Sequence, residues 1–171
     1  SINNIYSLVW MKSDKAPEAL MKLSELLRYS LYDCHGKVQL AGEIEAIYSY
    51  IDLFKLKFED DINLTVSNEL RNTELPIEPL LFIPLVENAF KYSGLGMSKN
   101  AWIKIRLYEE NSYCVLQITN TIGNINKEHS ASGIGLANIR KRLEAIYLEK
   151  YNLNISENEK IFDLTLQIQL I

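Results

Sequence analysis

Glu87, Asn88, Lys91 and Tyr92 cluster at the end of the stretch PLLFIPLVENAFKYSG (residues 79–94), where almost everything else is apolar. At about 100° per residue, Asn88, Lys91 and Tyr92 share one side of a helix and Glu87 flanks Lys91, while Val86 and Phe90 point the opposite way. A carboxylate, an amide and an ammonium converging at one helix end suit a hydrated divalent metal carrying phosphates: oxygens ligate the ion and the amine meets phosphate charge. The same residues also fit a solvated C-terminal turn with a Glu87 to Lys91 pair four residues apart. Spacing alone leaves both readings open. A second candidate is Gly133-Ile134-Gly135-Leu136, which follows a long polar stretch and opens a helical pattern. Exposed backbone N–H groups and a positive dipole end suit phosphates there, and a tight loop-to-helix turn needing positive φ is the other reading.

The elements that must hold these groups follow from the periodicity. Leu80, Leu81, Phe82, Ile83, Leu85, Val86, Ala89 and Phe90 cover nearly the whole circumference of the stretch from Pro79 to Gly94, which predicts one helix packed on a sheet. Upstream, the chain begins inside a helical pattern (residues 1–12). A second helix is predicted over residues 18–33, with Leu20, Leu23, Leu27 and Leu31 in step, and a third over residues 42–58 after a short extended link at Val38 to Leu40. The period then changes to two at Ile62, Leu64 and Val66, placing a domain boundary near Asp60. Ile103 to Tyr108 and Tyr113 to Thr119 read as an antiparallel hairpin. Residues 120–132 (NTIGNINKEHSAS) read as a polar loop, residues 133–150 as a helix, and the tail from Leu153 to Leu170 as a closing hairpin.

Composition excludes several classes. The 171 residues are 47% hydrophobic and 23% charged with a net charge of −4, so the chain can bury a core but offers no basic stripe for nucleic acid. The most apolar window, Leu75 to Phe90, holds three prolines and two glutamates and does not read as a membrane span, and no signal peptide opens the chain. Cys34 and Cys114 lack metal-ligand spacing and read as ordinary thiols of a reducing cytoplasm. His35 and His129 read as solvated loop residues.

A strand, the ENAFKYS helix, a hairpin, a polar loop, GIGLANIRKRL and a final hairpin, in that order, resemble the ATP-binding domain of the GHKL superfamily. More narrowly, SINNIYSL, LSELLRYSLYD, VQLAGEIEAIYSYIDLFKLKF and IPLVENAFKYS are similar to the LytS-type sensor histidine kinases, and the resemblance covers essentially the whole chain. It implies an α+β protein: a truncated helical dimerisation and phosphotransfer region (residues 1–59), then a Bergerat-type α/β sandwich (residues 60–171) whose mixed, mostly antiparallel sheet is covered by helices on one face. In that family the acceptor histidine precedes the segment matching Ser1 to Ile5, so it is expected upstream of residue 1.

Residue by residue, the resemblance makes Asn88 the magnesium ligand and Glu87 its neighbour that orients a ligated water or assists proton transfer. Lys91 and Tyr92 line the phosphates. Gly133, Gly135 and Leu136 match the glycine box that folds a lid over the triphosphate, with Asn138 one turn into the same helix. Asn120 stands where many relatives place an adenine-binding aspartate, and Gly123 is a loose match to the first glycine box. The implied cofactors are ATP and Mg2+. The implied activity is transfer of the γ-phosphoryl to the upstream histidine and then to an aspartate of a response regulator. The implied partners are a second copy through the N-terminal helices and that regulator, with membrane contact only through an upstream part. The competing reading is a nucleotide-binding or dimerising module with little or no kinase turnover, suggested by the neutral Asn120.

Overall fold

Leucine and isoleucine at three- and four-residue steps close the helical part of the chain, and strict alternation closes the sheet. A computed structural model describes residues 2–31, 36–58, 62–123 and 132–169. The expectations for Cys34, His35, His129 and most of the polar loop lie outside them. The chain divides into two units, Ser1–Ile62 with Pro76–Ile83, and Asn63–Leu75 with Pro84–Ile171.

In the first unit, α1 (Ile2–Trp10), α2 (Ala16–Leu31) and α3 (Leu40–Lys55) form a helical group, with β1 (Val38–Gln39) paired antiparallel to β3 (Pro76–Ile77). Ile5 and Leu8 of α1, Ala19 of α2 and Leu53 of α3 make one buried cluster. Leu40, Ile44, Ile47 and Ile51 line the buried face of α3, one position in three or four, as a 3.6-residue period requires. An exposed Lys22–Asp52 pair at 3.0 Å bridges α2 and α3, an interaction of small energetic weight at a surface.

The second unit is built on a five-stranded sheet in the order β2-β4-β5-β7-β6, from β2 (Leu64–Asn68), β4 (Ile103–Glu110), β5 (Tyr113–Thr121), β6 (Tyr151–Glu157) and β7 (Ile161–Gln169). Only the β2–β4 pairing is parallel. The expected mixed, mostly antiparallel sheet with packed helices is what the structure has. Asn111 and Ser112 join β4 to β5 with φ of 50° and 68°; two successive left-handed residues match the twist of the strands they connect. Ile103, Ile105, Leu107, Leu116, Ile118, Leu164, Leu166 and Ile168 are buried along the strands, with Ile139, Leu143 and Tyr147 of α5 (Ser132–Tyr147) and Leu85, Val86, Ala89 and Phe90 of α4 (Ile83–Tyr92).

Two sequence expectations need correction. The organising helix is α4, Ile83–Tyr92, and does not start at Pro79. Leu80 has a φ of 57°, and the N–H groups of residues 80–82 are accepted by the Glu43 carboxylate instead of by a preceding helical turn. Pro84 falls in the first turn, where its missing N–H costs nothing. The polar loop is also shorter than the expected residues 120–132, because β5 runs through Asn120 and Thr121 and α5 begins at Ser132. The ladder to β7 continues over both residues, Asn120 opposite Phe162 and Thr121 opposite Ile161.

Candidate nucleotide site

The C-terminal half of α4 divides by burial as the helical period dictates. Ala89 and Phe90 are buried, Asn88 and Tyr92 are half-buried, and Glu87 and Lys91 are exposed. Among the described residues the side chains of Glu87 and Asn88 make no hydrogen bond or ion pair, so the expected alternative of a Glu87–Lys91 pair is not what the structure has. The Lys91 ammonium instead lies 4.9 Å from the centroid of the Tyr92 ring, a cation–π contact, and pairs with no carboxylate among the described residues.

The end of β5 is fastened to this end of α4. The Gly123 N–H donates to the Tyr92 carbonyl at 2.8 Å, and the Thr121 hydroxyl donates to the Ser93 carbonyl at 2.9 Å while accepting the Trp102 N–H at 3.0 Å. The Gly123 bond brings two backbones into contact: a Cβ on Gly123 would stand 2.7 Å from the Gly94 Cα, and Gly94 itself has a φ of 72°. Gly123 therefore has a packing role that its loose match to a glycine box did not suggest. Ser93, fully buried, accepts the Leu95 N–H through its hydroxyl at 3.1 Å and ends the helix. Ser93, Gly94 and Thr121 were missed in the sequence; Gly94, next to the ENAFKYS helix, is the one residue whose type signalled such a turn.

Asn120 stands in β5 one residue before Thr121, which bonds the Ser93 carbonyl. Asn120 is 1% exposed. Its Nδ2 donates to the Thr121 carbonyl at 2.6 Å, and its Oδ1 has no partner among the described residues. The Tyr92 hydroxyl is also buried without a partner among the described residues. Buried polar atoms are paired in the great majority of cases, so an unpaired acceptor and an unpaired hydroxyl at one junction fit a polar ligand that supplies the missing bonds. An amide oxygen held by its own nitrogen is oriented to accept from an exocyclic amine, and a half-buried Asn88 oxygen suits a hard divalent cation. The residues present thus fit an adenine nucleotide with magnesium.

Gly133, Gly135, Leu136 and Asn138 lie in the first two turns of α5. Gly135 has helical backbone with open space where a Cβ would be, so the reading that a positive φ demands glycine does not hold there. These residues make no hydrogen bond to α4 or to the end of β5 among the described residues. The structure places Glu87, Asn88, Lys91 and Tyr92 on the last turns of α4 and bonds Gly123 to the Tyr92 carbonyl. A half-open cavity of about 660 Å³ beside the junction is lined by Gly94, Trp102, Thr121 and Lys160, among others; of the expected site residues only Gly123 lines it. It is not the site that α4 presents. Cys114 is buried, which pushes its thiol up to about 12, with Glu109 adding to the shift, and it has no part in the chemistry.

The family model described as histidine kinase matches residues 1–62. Over 98% of its length the chain is 26% identical to the sensor histidine kinase BtsS of Escherichia coli (strain K12), covering 30% of that protein. It is 25% identical over 94% of its length to the sensor protein LytS of Staphylococcus saprophyticus, covering 29% of it. The chain thus spans less than a third of the curated relatives it matches. The catalytic domain of histidine kinase ThkA aligns with a TM-score of 0.54 at 19% identity, over 78% of this chain and 95% of that one. The same kinase in complex with the response regulator protein TrrA gives 0.53 at 17% identity, over 91% and 49%. The fold is that of histidine kinase catalytic domains, and the resemblance to LytS-type sensor histidine kinases is borne out.

Proposed function

We propose that this chain is the cytoplasmic catalytic portion of a two-component sensor histidine kinase that binds Mg-ATP and passes its γ-phosphoryl to a histidine upstream of residue 1, and then to an aspartate of a response regulator. The observation that carries the reading is the pairing of an open metal-ligating amide, Asn88, with a buried, unpaired acceptor, Asn120, on two elements fastened to each other. Asn88 holds the metal through its amide oxygen, and Glu87 beside it orients a water or takes a proton. Lys91 neutralises phosphate charge, and Tyr92 lines the phosphates. Asn120 accepts from the adenine amine. Gly133, Gly135, Leu136 and Asn138 open α5 as the closing side of the site. When bound, the magnesium neutralises charge on the triphosphate, and catalysis rests on positioning. The chain works as a homodimer through the N-terminal helices, anchored to a bacterial inner membrane by its upstream part; among the described residues no helix is long and apolar enough to cross a membrane.

The test is a labelling experiment with radioactive ATP on a version extended upstream through the acceptor motif. It is expected to form acid-labile phosphohistidine and to hand it to a cognate regulator, whereas residues 1–171 alone are expected to form none. An extended protein that binds ATP and never labels rejects the kinase reading in favour of a nucleotide-binding, dimerising module.

A further inference from the structure

The cavity beside the end of β5 has no part in the proposed chemistry. It is built on one row of residues that crosses the sheet. Thr121 pairs with Ile161 of β7. On its other side the Thr121 N–H donates to the Trp102 carbonyl at 3.1 Å, and its hydroxyl accepts the Trp102 N–H at 3.0 Å. Successive strand residues point to opposite faces, so Trp102, Thr121 and Ile161 stand on the face opposite the row of Ile103, Asn120 and Phe162. The half-open space between that row, the loop after α4 and the β6–β7 turn measures about 660 Å³, within the range of roughly 300–1,000 Å³ that small organic ligands occupy.

Its walls are held by their own backbone bonds. In the loop, the Met97 and Ser98 N–H groups donate to the Gly94 carbonyl at 2.9 and 3.1 Å, and the Ala101 N–H donates to the Ser98 carbonyl at 3.1 Å. In the turn, Asn158 Oδ1 accepts the Lys160 and Ile161 N–H groups at 2.9 and 2.8 Å, and the Lys160 carbonyl accepts the Ile122 N–H at 2.8 Å. What the cavity offers a ligand is therefore side chains. Met97 is 88% exposed and Ile161 37%, apolar surface left open in a unit whose strands bury nearly all of theirs. Trp102 beside them is half-buried, and its indole N–H has no partner among the described residues. The lining carries one cation, Lys160, and one anion, Glu159. Though adjacent in the chain, they pair neither with each other nor with another charge among the described residues.

We propose that this cavity binds a free α-amino acid with an aromatic side chain. The ring lies against Trp102, Met97 and Ile161, the carboxylate meets the Lys160 ammonium, and the α-ammonium meets Glu159. An aromatic ring suits both an indole and a thioether, and a zwitterion answers an unpaired cation and an unpaired anion together. An aromatic acid without the amine leaves Glu159 unanswered, and an aromatic amine without the acid leaves Lys160 so. The cavity takes no side chain from Asn88 or Asn120, and the proposal stands independently of nucleotide binding.

The experiment is a proton–nitrogen NMR titration of the 171-residue chain with L-phenylalanine, phenylpropionate and phenylethylamine, following the indole N–H signals. The chain has two tryptophans, and Trp10→Phe identifies the signal of Trp102. L-Phenylalanine is expected to shift that signal saturably with a dissociation constant on the order of 1 mM, as a ligand of about a dozen non-hydrogen atoms gives. It is expected to bind about threefold to tenfold more tightly than either singly charged compound. Lys160→Gln is expected to weaken L-phenylalanine about threefold and leave phenylethylamine within about twofold, and Glu159→Gln to weaken L-phenylalanine about threefold and leave phenylpropionate within about twofold. Both positions are exposed, and the wild-type ligand series decides by itself should a variant not fold. No saturable shift of the Trp102 signal up to about 20 mM L-phenylalanine overturns the proposal. So does phenylpropionate or phenylethylamine binding as tightly as L-phenylalanine, or an affinity for L-phenylalanine that neither substitution changes.

Discussion

The two units end their surfaces in opposite ways. In the helical unit, Tyr6, Val9, Trp10 and Met11 of α1 and its end, and Leu20, Met21 and Leu27 of α2, are exposed, Trp10 at 77% and Met21 at 66%. In the sheet unit the strands bury nearly all of their large apolar side chains, Met97 and Leu148 outside the strands stay exposed, and α4 presents Glu87 and Lys91 exposed with Asn88 half-buried, while the buried Asn120 Oδ1 has no partner among the described residues. Several large apolar side chains left exposed on two helices offer surface that another apolar surface can cover, while unpaired polar groups mark a place for a polar ligand. The difference supports a division of labour in which α1 and α2 meet a second copy and the sheet unit meets a nucleotide.

The closed core of the sheet unit is the side of the comparison with the most energy in it. Leu116, at the centre of β5 and fully buried, is expected to cost about 2–5 kcal/mol on truncation to alanine, read as a lower chemical-denaturation midpoint. A cost below about 0.5 kcal/mol would mean that the sheet does not close its own core as described.

Asn120→Asp tests the polar opening. A carboxylate is expected to bind adenine nucleotides more tightly by roughly 1–2 kcal/mol through a charge-assisted bond. It also loses the Nδ2 donor to the Thr121 carbonyl, so the unliganded protein is expected to be less stable by about 1–3 kcal/mol. Calorimetry and thermal melts measure the two effects; a variant that binds no more tightly would remove Asn120 from the adenine contact.

The smallest effect on stability and the clearest on assembly belongs to the helical unit. Trp10→Ser with Met21→Ser is expected to change the stability of the monomer by less than about 0.5 kcal/mol, as exposed positions do. Self-association measured by sedimentation is expected to weaken. Unchanged association would mean that this apolar surface is covered by something other than a second copy.

Much of this contrast was legible in the residues. Ile103, Ile105 and Leu107 alternate with Lys104, Arg106 and Tyr108, and the observed strand buries the first set. Asn88 and Lys91 were legible as a polar side of α4 because helical spacing is local. The start of α4 was not legible, since Leu80 to Ile83 are all helix-compatible and the group that holds the N–H groups of residues 80–82 outside the helix, Glu43, acts from 37 to 39 residues away. Gly123 was read for its type as a ligand-facing glycine, yet its nearest constraint is the backbone of Gly94, a long-range contact that no local pattern carries. The extent of β5 was underread because Asn120 is a poor strand former whose pairing with β7 overrides its preference.

The most direct test of the account is titration of Mg-ATP into the chain and into Asn88→Ala, each with and without magnesium. Asn88 is half-buried and makes no side-chain hydrogen bond among the described residues, so the variant is expected to keep its fold. The wild type is expected to bind more tightly with the metal than without it, and Asn88→Ala to lose at least that gain, a factor of about ten or 1.4 kcal/mol. Binding that is absent at millimolar nucleotide, or the same with and without magnesium in both proteins, would contradict the assignment of α4 as the metal-nucleotide helix.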